Sequence, residues 1–197
     1  MNRLDPRLPL VLDIRELGRR PGTMLTLSRT APTPADFGTE VIAIPQGAPI
    51  ELDVRLESVV EGVLVTGSAH ATAAGACVRC LDPLTQPVSA HFQELFAYPE
   101  RVAHHHEVSS DEDDDVRELD GDMLDLEPAL RDAVVPALPF QPVCHEDCPG
   151  LCVECGAHLA DDPTHHHDLL DPRWAALHDL APPAESMSES TTNQRRS

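Results

Sequence analysis

The stretch IELDVRLESVVEGVLVTGSAHATAAGACVRC, residues 50–80, decides the fold. From residue 50 to residue 56, every second residue is apolar and the residues between them are charged. An apolar period of two places those side chains on one face of a half-buried strand. Glu61-Gly62 can turn the chain, and the valines and alanines of residues 63–73 fit a returning strand. The stretch therefore predicts an antiparallel β-hairpin.

The sequence around this hairpin adds further short elements. Residues 9–17 (PLVLDIREL) and 88–96 have strand-like apolar spacing, whereas the proline-rich residues 31–40 indicate a loop. A helix is predicted near residues 126–137, with Asp125 as a possible cap and Pro136 at its end. The residues spaced for one buried face of this helix are Leu126, Leu130 and Val134.

These elements predict an α+β protein. Its core is expected to be a mainly antiparallel β-sheet or a barrel-like arrangement with a few helices. We divide the chain into a β-rich part (1–99), an acidic disordered insertion (100–118), a helical and Cys/His-rich part of the same domain (119–180) and a disordered tail (181–197). The insertion contains the run DEDDD, whose like charges repel one another and resist packing.

The charge of the 197-residue chain is strongly negative, with a formal net charge of −20 and no lysine. Free nucleic acid would repel such a chain, so a basic protein is the more natural direct partner. The first 30 residues nevertheless contain six arginines. The candidate contacts with RNA phosphates or with a partner are Arg15, Arg19, Arg20 and Arg79.

The apolar segments indicate a cytoplasmic protein that does not enter a membrane. LPLVL near the N-terminus is too short for the apolar part of a signal peptide, and charged residues follow it at once. No apolar run approaches the roughly 20 residues that span a bilayer. The six cysteines are therefore expected to be reduced, which favours metal binding over structural disulfides.

Two cysteine-rich regions could bind that metal. Cys152 and Cys155 are separated by two residues and followed by Gly156, which is typical of a turn that holds zinc. A four-ligand site needs two further donors, and the sequence leaves three pairs open: His165 and His167, Cys144 and Cys148, or Cys77 and Cys80. Such a zinc ion is predicted to be structural, ordering a compact C-terminal module that has little core of its own.

An enzymatic role is not predicted. The sequence contains no Walker loop, dinucleotide fingerprint, serine nucleophile elbow or HExxH motif, and nothing in it indicates a small-molecule substrate. Cys77 and Cys80 admit a redox alternative, because such pairs serve in dithiol exchange. Thioredoxin-like enzymes place the pair at the start of a helix, whereas here Pro83 and β-rich sequence surround it.

Two long segments resemble a known family. CVRCLDPLTQPVSAHFQELF (77–96) is similar to the central signature of the YceD family. The segment 125–177, from DLEPALRDAVV to DPRWAAL, resembles the C-terminal half of its actinobacterial members. The resemblance covers roughly residues 8–180, interrupted by the acidic insertion. Many members carry Cys-x-Cys where this chain has His165-His166-His167, and histidine can replace cysteine on zinc.

The resemblance implies a non-enzymatic ribosome biogenesis factor. Members of the family are linked to the synthesis, processing or stability of large-subunit (23S) ribosomal RNA. The implied partner is a large-subunit ribosomal protein or pre-ribosomal RNA, and the negative charge favours escort of a basic ribosomal protein. The alternatives are a CxxC thiol or zinc redox protein and an acidic protein-interaction adaptor.

Overall fold

The computed structural model describes residues 4–101, residues 117–167 and Arg173. The DEDDD run of the predicted insertion and the predicted tail 181–197 lie outside the described residues. The elements of the described part are β1 (Val11–Asp13), β2 (Met24–Pro32), β3 (Ile42–Ala43), β4 (Pro49–Ser58), β5 (Gly62–Ala76), β6 (Pro83–Ala97), β7 (Arg117–Glu118), β8 (Met123–Asp125) and the helix α1 (Glu127–Ala137).

The main sheet is built around three long strands. Its order is β2-β4-β5-β6-β7, and β3 pairs with β5 beside this path. All of these pairings are antiparallel except that of β6 with β7. The hairpin of β5 and β6 is the longest, with a register from Gly62 opposite Ala97 to Ala76 opposite Pro83. A separate two-stranded sheet pairs β1 with β8.

One face of the main sheet forms the core. Along β4, exposed charged residues alternate with buried apolar ones, as the period of two predicts. The inward residues of β4 lie opposite Val65 and Ala69 of β5, which are also buried. Helix α1 packs against this core through Leu126, Leu130 and Val134, which are almost fully buried.

The start of α1 follows its sequence closely. The helix cap is Leu126, and the carboxylate of Asp125 accepts a hydrogen bond of 2.9 Å from the backbone amide of Glu127. Asp125 thus satisfies one of the amides that a helix start leaves unpaired. Pro136 lies in the last turn, and the helix ends at Ala137. The predicted helix is confirmed to within one residue at its N-terminus.

The α+β class and the mainly antiparallel sheet are confirmed. The sequence allowed either a sheet or a barrel-like core. The strands form open sheets and do not close into a barrel. The first strand is shorter than predicted, since the chain turns after Asp13 and the amide of Leu17 bonds the carbonyl of Ile14. No helix in the described part of the chain is long and apolar enough to cross a membrane.

Candidate metal centres

The first Cys-x-x-Cys sequence forms the turn between β5 and β6. The amide of Cys77 donates to the carbonyl of Asp82 at 2.8 Å, and the amide of Leu81 donates to the carbonyl of Cys77 at 2.9 Å. Closing this turn requires a left-handed backbone at Leu81, with a φ of 63°. The turn brings the side chains of Cys77 and Cys80 to the same side.

The second Cys-x-x-Cys sequence forms the same kind of turn. The amide of Gly156 donates to the carbonyl of Cys152 at 2.9 Å, and Gly156 has a φ of 73°. Here glycine occupies the left-handed position, which it adopts without steric cost. The amide of Cys152 also donates to the carbonyl of Ala157 at 2.8 Å, which closes a small loop around the pair.

Four cysteines from distant parts of the chain meet at the end of the long hairpin. We call Cys77, Cys80, Cys144 and Cys148 the inner cluster. Their sulfur atoms lie within 4.8 Å of one another. The Cys77 and Cys148 sulfurs are 3.8 Å apart, and those of Cys80 and Cys144 are 3.7 Å apart. All four are free thiols, and all but Cys144 are buried.

Hydrogen bonds to backbone carbonyls hold the two halves of the inner cluster together. The amide of Val78 donates to the carbonyl of Pro142 at 2.9 Å. The guanidinium of Arg79 donates to the carbonyls of Glu146 at 2.9 Å and Cys148 at 3.0 Å. The carbonyl of Arg79 accepts from the amide of Leu151 at 3.1 Å. The hairpin end and the segment after α1 therefore form one structural unit.

A second group of donors lies in the segment after the inner cluster. We call Cys152, Cys155, His165 and His167 the outer cluster, and their ligand atoms also lie within 4.8 Å of one another. The Cys155 sulfur is 3.2 Å from Nε2 of both His165 and His167. The two Nε2 atoms are 2.9 Å apart. Cys152 and His165 are half-buried, and Cys155 and His167 are exposed.

The backbone around each pair favours a thiolate at its first cysteine. The amide of Cys80 foremost, with those of Cys144 and Arg79, donates toward the sulfur of Cys77, and together against the effect of burial they lower the pKa of Cys77 to about 6. The amide of Cys155 likewise lowers the pKa of Cys152. Cys80 differs: the Asp82 amide lowers its pKa, but burial and the Cys77 sulfur act upward, and the net shift is upward. Thiolates are the form of cysteine that binds metals.

The structure separates the predicted ligands into two sets. Cys152 and Cys155 meet His165 and His167, whereas Cys144 and Cys148 meet Cys77 and Cys80. Each set offers four donors and could hold one metal ion. The sequence identified all eight residues, but its spacing could not tell which pairs belong together.

The predicted arginine contacts are found in different surroundings. Arg15 is paired with the carboxylate of Asp13. Arg19 is paired with Glu100 at 2.8 Å, and its guanidinium lies 4.8 Å from the centre of the Tyr98 ring. Arg20 is exposed at the adjoining turn. Arg79 donates to the backbone carbonyls of Glu146 and Cys148 beside the inner cluster. The sequence did not indicate this structural contact.

Comparison with known proteins gives a family match and several relatives. The model of the family described as "Large ribosomal RNA subunit accumulation protein YceD" matches residues 65–181. An uncharacterized protein of Mycobacterium tuberculosis is 48% identical over 175 residues, covering 89% of this chain and 83% of the relative. An uncharacterized protein of Mycobacterium leprae is 44% identical over 187 residues, covering 95% and 84%. No solved structure matches.

Proposed function

This chain belongs to the YceD family, and from that premise we propose that it supports the accumulation of large-subunit ribosomal RNA without catalysing a reaction. The observation that carries the proposal is the family match over residues 65–181, which includes both metal-site turns and α1. The proposed place of action is the cytoplasm, where ribosomes are assembled. We also propose that the β-rich part and the helical, Cys/His-rich part form one domain, with the acidic run between them. Arg117 and Glu118, at the end of the predicted insertion, belong to β7 of the main sheet.

The donor sets favour structural zinc. Zinc binds thiolate and imidazole ligands, and structural sites use four protein ligands in a closed tetrahedral shell. A catalytic zinc ion instead keeps one position open for water or substrate. Each cluster offers four protein donors. A zinc ion held by all four would have no position left for a reacting molecule, which supports a role in folding and not in chemistry.

The burial of the inner cluster disfavours the redox alternative. Thiol–disulfide exchange requires an accessible thiolate that can reach the sulfur of another molecule. Cys77 is 0% exposed and Cys80 is 6% exposed. The pair also lies in a hairpin turn, whereas thioredoxin-like enzymes place theirs at the start of a helix. Metal binding therefore accounts better for these residues than dithiol exchange.

The charge distribution favours a basic protein as the direct partner. Glu51 and Asp53 lie along the outward face of β4, where the neighbouring Glu57 is already paired with Arg55 at 2.8 Å. Arg15 and Arg19, two of the residues predicted to contact RNA, already face carboxylates. Opposite charges within a few ångströms reduce the attraction of these arginines for phosphate. We therefore propose that the protein escorts a basic large-subunit ribosomal protein and binds naked RNA weakly.

A ribosome profile tests the general proposal. The protein is depleted in its host, ribosomal particles are separated on a sucrose gradient, and large-subunit RNA is followed by blotting. We expect fewer large subunits and an accumulation of precursor large-subunit RNA. Re-expression of the intact protein should restore both. A normal profile with mature RNA after depletion would contradict the proposed function.

A binding experiment separates the two partners. The full-length protein is immobilised and offered either the proteins extracted from purified large subunits or protein-free 23S RNA. Escort predicts retention of basic proteins that elute as NaCl rises, because salt screens charge pairing. A variant with alanine at Arg15, Arg19 and Arg20 should retain those proteins equally well. Strong RNA retention that this variant loses would instead support direct RNA binding.

A further inference from the structure

The inner cluster has the dimensions of a tetrathiolate metal site. A tetrahedral zinc ion with zinc–sulfur distances of about 2.3 Å holds its sulfur atoms about 3.8 Å apart. The sulfur pairs measured in the inner cluster are 3.8 Å and 3.7 Å apart. Two of the six sulfur–sulfur distances therefore already match a tetrahedral zinc site, and the other four are no longer than 4.8 Å.

The outer cluster has a different donor set and a different environment. Two thiolates and two imidazoles bring two negative charges to a zinc ion, whereas four thiolates bring four. The outer donors are exposed or half-buried, while Cys77, Cys80 and Cys148 of the inner cluster are buried. Water and chelators can therefore reach an ion in the outer cluster more easily than one in the inner cluster.

The two clusters also connect different parts of the chain. The inner contacts Cys80–Cys144 and Cys77–Cys148 span 64 and 71 residues and join the main sheet to the segment after α1. The outer contacts from Cys155 to His165 and His167 span 10 and 12 residues. An ion in the inner cluster would therefore stabilise the attachment of the segment to the sheet. An ion in the outer cluster would order only residues 152–167.

We propose that each chain binds two zinc ions at separate sites, with the inner ion retained as a structural link and the outer ion able to exchange. Losing the outer ion would release residues 152–167 while the sheet, α1 and the inner cluster stay folded. We call residues 152–167 the outer loop. Its order, as a part of the protein surface, thereby depends on the metal. This inference rests on zinc as the proposed metal, but it is independent of the ribosomal role.

The first test is metal analysis of the purified full-length protein. We expect two zinc ions per chain, of which one is captured rapidly and the other slowly by an excess of a chromogenic chelator. One zinc ion per chain would overturn the proposal, and so would two ions captured at one rate. A metal-free protein whose cysteines are disulfide-bonded would also overturn it. None of these results bears on the outcome of the ribosome-profile experiment, so this proposal and the proposed function can fail separately.

Histidine variants assign the rapidly captured ion. His165→Ala together with His167→Ala should leave one zinc ion per chain and remove only the rapid phase. His166→Ala is the matched control, because its Nδ1 atom contacts the carbonyl of Thr164 and the residue is outside the cluster. This control should keep both ions. Loss of both ions from the double variant, or loss of one from the control, would contradict two independent sites.

Cobalt substitution assigns the slowly captured ion even if the inner cysteines cannot be replaced without unfolding the protein. The His165→Ala, His167→Ala variant is loaded with Co²⁺, which reports its ligands through sulfur-to-metal charge-transfer absorption. We expect the spectrum of a tetrahedral site with four thiolates. A spectrum with two thiolates, or an octahedral one, would show that the remaining ion is not held by the inner cluster.

Discussion

The inner and outer clusters are built on the same kind of local turn, but their remaining ligands come from different parts of the chain. Both Cys-x-x-Cys sequences close with a hydrogen bond of 2.9 Å from the amide of a left-handed fifth residue, Leu81 or Gly156, to the carbonyl of the first cysteine. The inner turn lies at the end of a hairpin of two 15-residue strands and meets its other two ligands from a distant segment. The outer turn meets its ligands within its own loop. The same short sequence can therefore link distant elements or order only its neighbours.

Removing the inner pair should have the largest effect. Cys77→Ser with Cys80→Ser eliminates two of the four inner donors and leaves the other two without a complete site. Structural zinc contributes about 10–16 kcal/mol to the folding of small zinc modules. We expect the free energy of unfolding to fall by more than about 4 kcal/mol. Urea unfolding, monitored by circular dichroism, measures this change in the free energy of unfolding.

Val78→Ser is the control for this variant. It changes a partly exposed side chain between the two cysteines and keeps all four inner donors. We expect it to unfold at nearly the same urea concentration as the original protein. If the control and the double cysteine variant were equally unstable, the turn and not the metal would explain the loss.

Replacing Arg79 should have an intermediate effect. Arg79→Ala removes the two hydrogen bonds to the carbonyls of Glu146 and Cys148. Hydrogen bonds from charged groups contribute about 1.5–3 kcal/mol when buried. Because Arg79 is exposed, we expect a loss of about 1 kcal/mol in urea unfolding. Both bonds come from the single Nη1 atom, so the ammonium of Arg79→Lys can replace them in part and this variant should fall between the two. A lysine variant as unstable as alanine would show that the planar guanidinium is essential.

Exchanging the left-handed residues should produce opposite effects in the two turns. Gly156→Ala adds a Cβ atom at a φ of 73°, and no atom outside residues 155–157 lies within 4 Å of it, so the cost comes from the backbone conformation. We expect a loss of about 1 kcal/mol, or about fivefold in outer zinc affinity, by chelator competition.

Leu81→Gly relieves the same strain in the inner turn. The Leu81 side chain is 66% exposed, so little packing is lost with it. Urea unfolding should show a gain of up to about 1 kcal/mol, reduced by the greater flexibility of glycine in the unfolded chain. A clear destabilisation would mean that the Leu81 side chain makes a contribution beyond its backbone conformation.

Removing the outer histidines should have the smallest effect on the body of the protein. His165→Ala with His167→Ala should change its unfolding free energy by less than about 0.5 kcal/mol. Hydrogen exchange should nevertheless accelerate at the amides of Cys152 and Gly156, whose hydrogen bonds lie within residues 152–167. Exchange that accelerates equally along β5 and β6 would contradict the separation of the two clusters.

The sequence predicted the parts of the fold that have a local signal. Residues 50–56 alternate because β4 has one buried face, and the period of α1 follows from its own packing. Strand β2 was not predicted. Leu25 and Leu27 are only partly buried because β2 ends the order of the main sheet, which weakens the alternation that identifies a strand.

The candidate metal ligands were predictable as residues but not as sites. A Cys-x-x-Cys turn is encoded within five residues, so both turns could be expected from the sequence. Joining Cys77 and Cys80 to Cys144 and Cys148 depends on where β6 and α1 carry the chain. The contacts of Arg79 depend on the same packing, and its charge alone favoured a different role. The domain limits and the zinc assignment remain predictions.

The pairing of β1 with β8 determines when the first strand can fold during synthesis of the chain. Val11–Asp13 cannot pair until Met123–Asp125 has emerged, which takes roughly 5–20 s at about 5–20 residues per second. During this time Leu10, Leu12 and Ile14, which are buried in the finished protein, remain in water. The hairpin of β5 and β6 can form earlier because its partners are neighbours. In the nascent chain, the β5–β6 hairpin can therefore be folded before β1 has β8 to pair with.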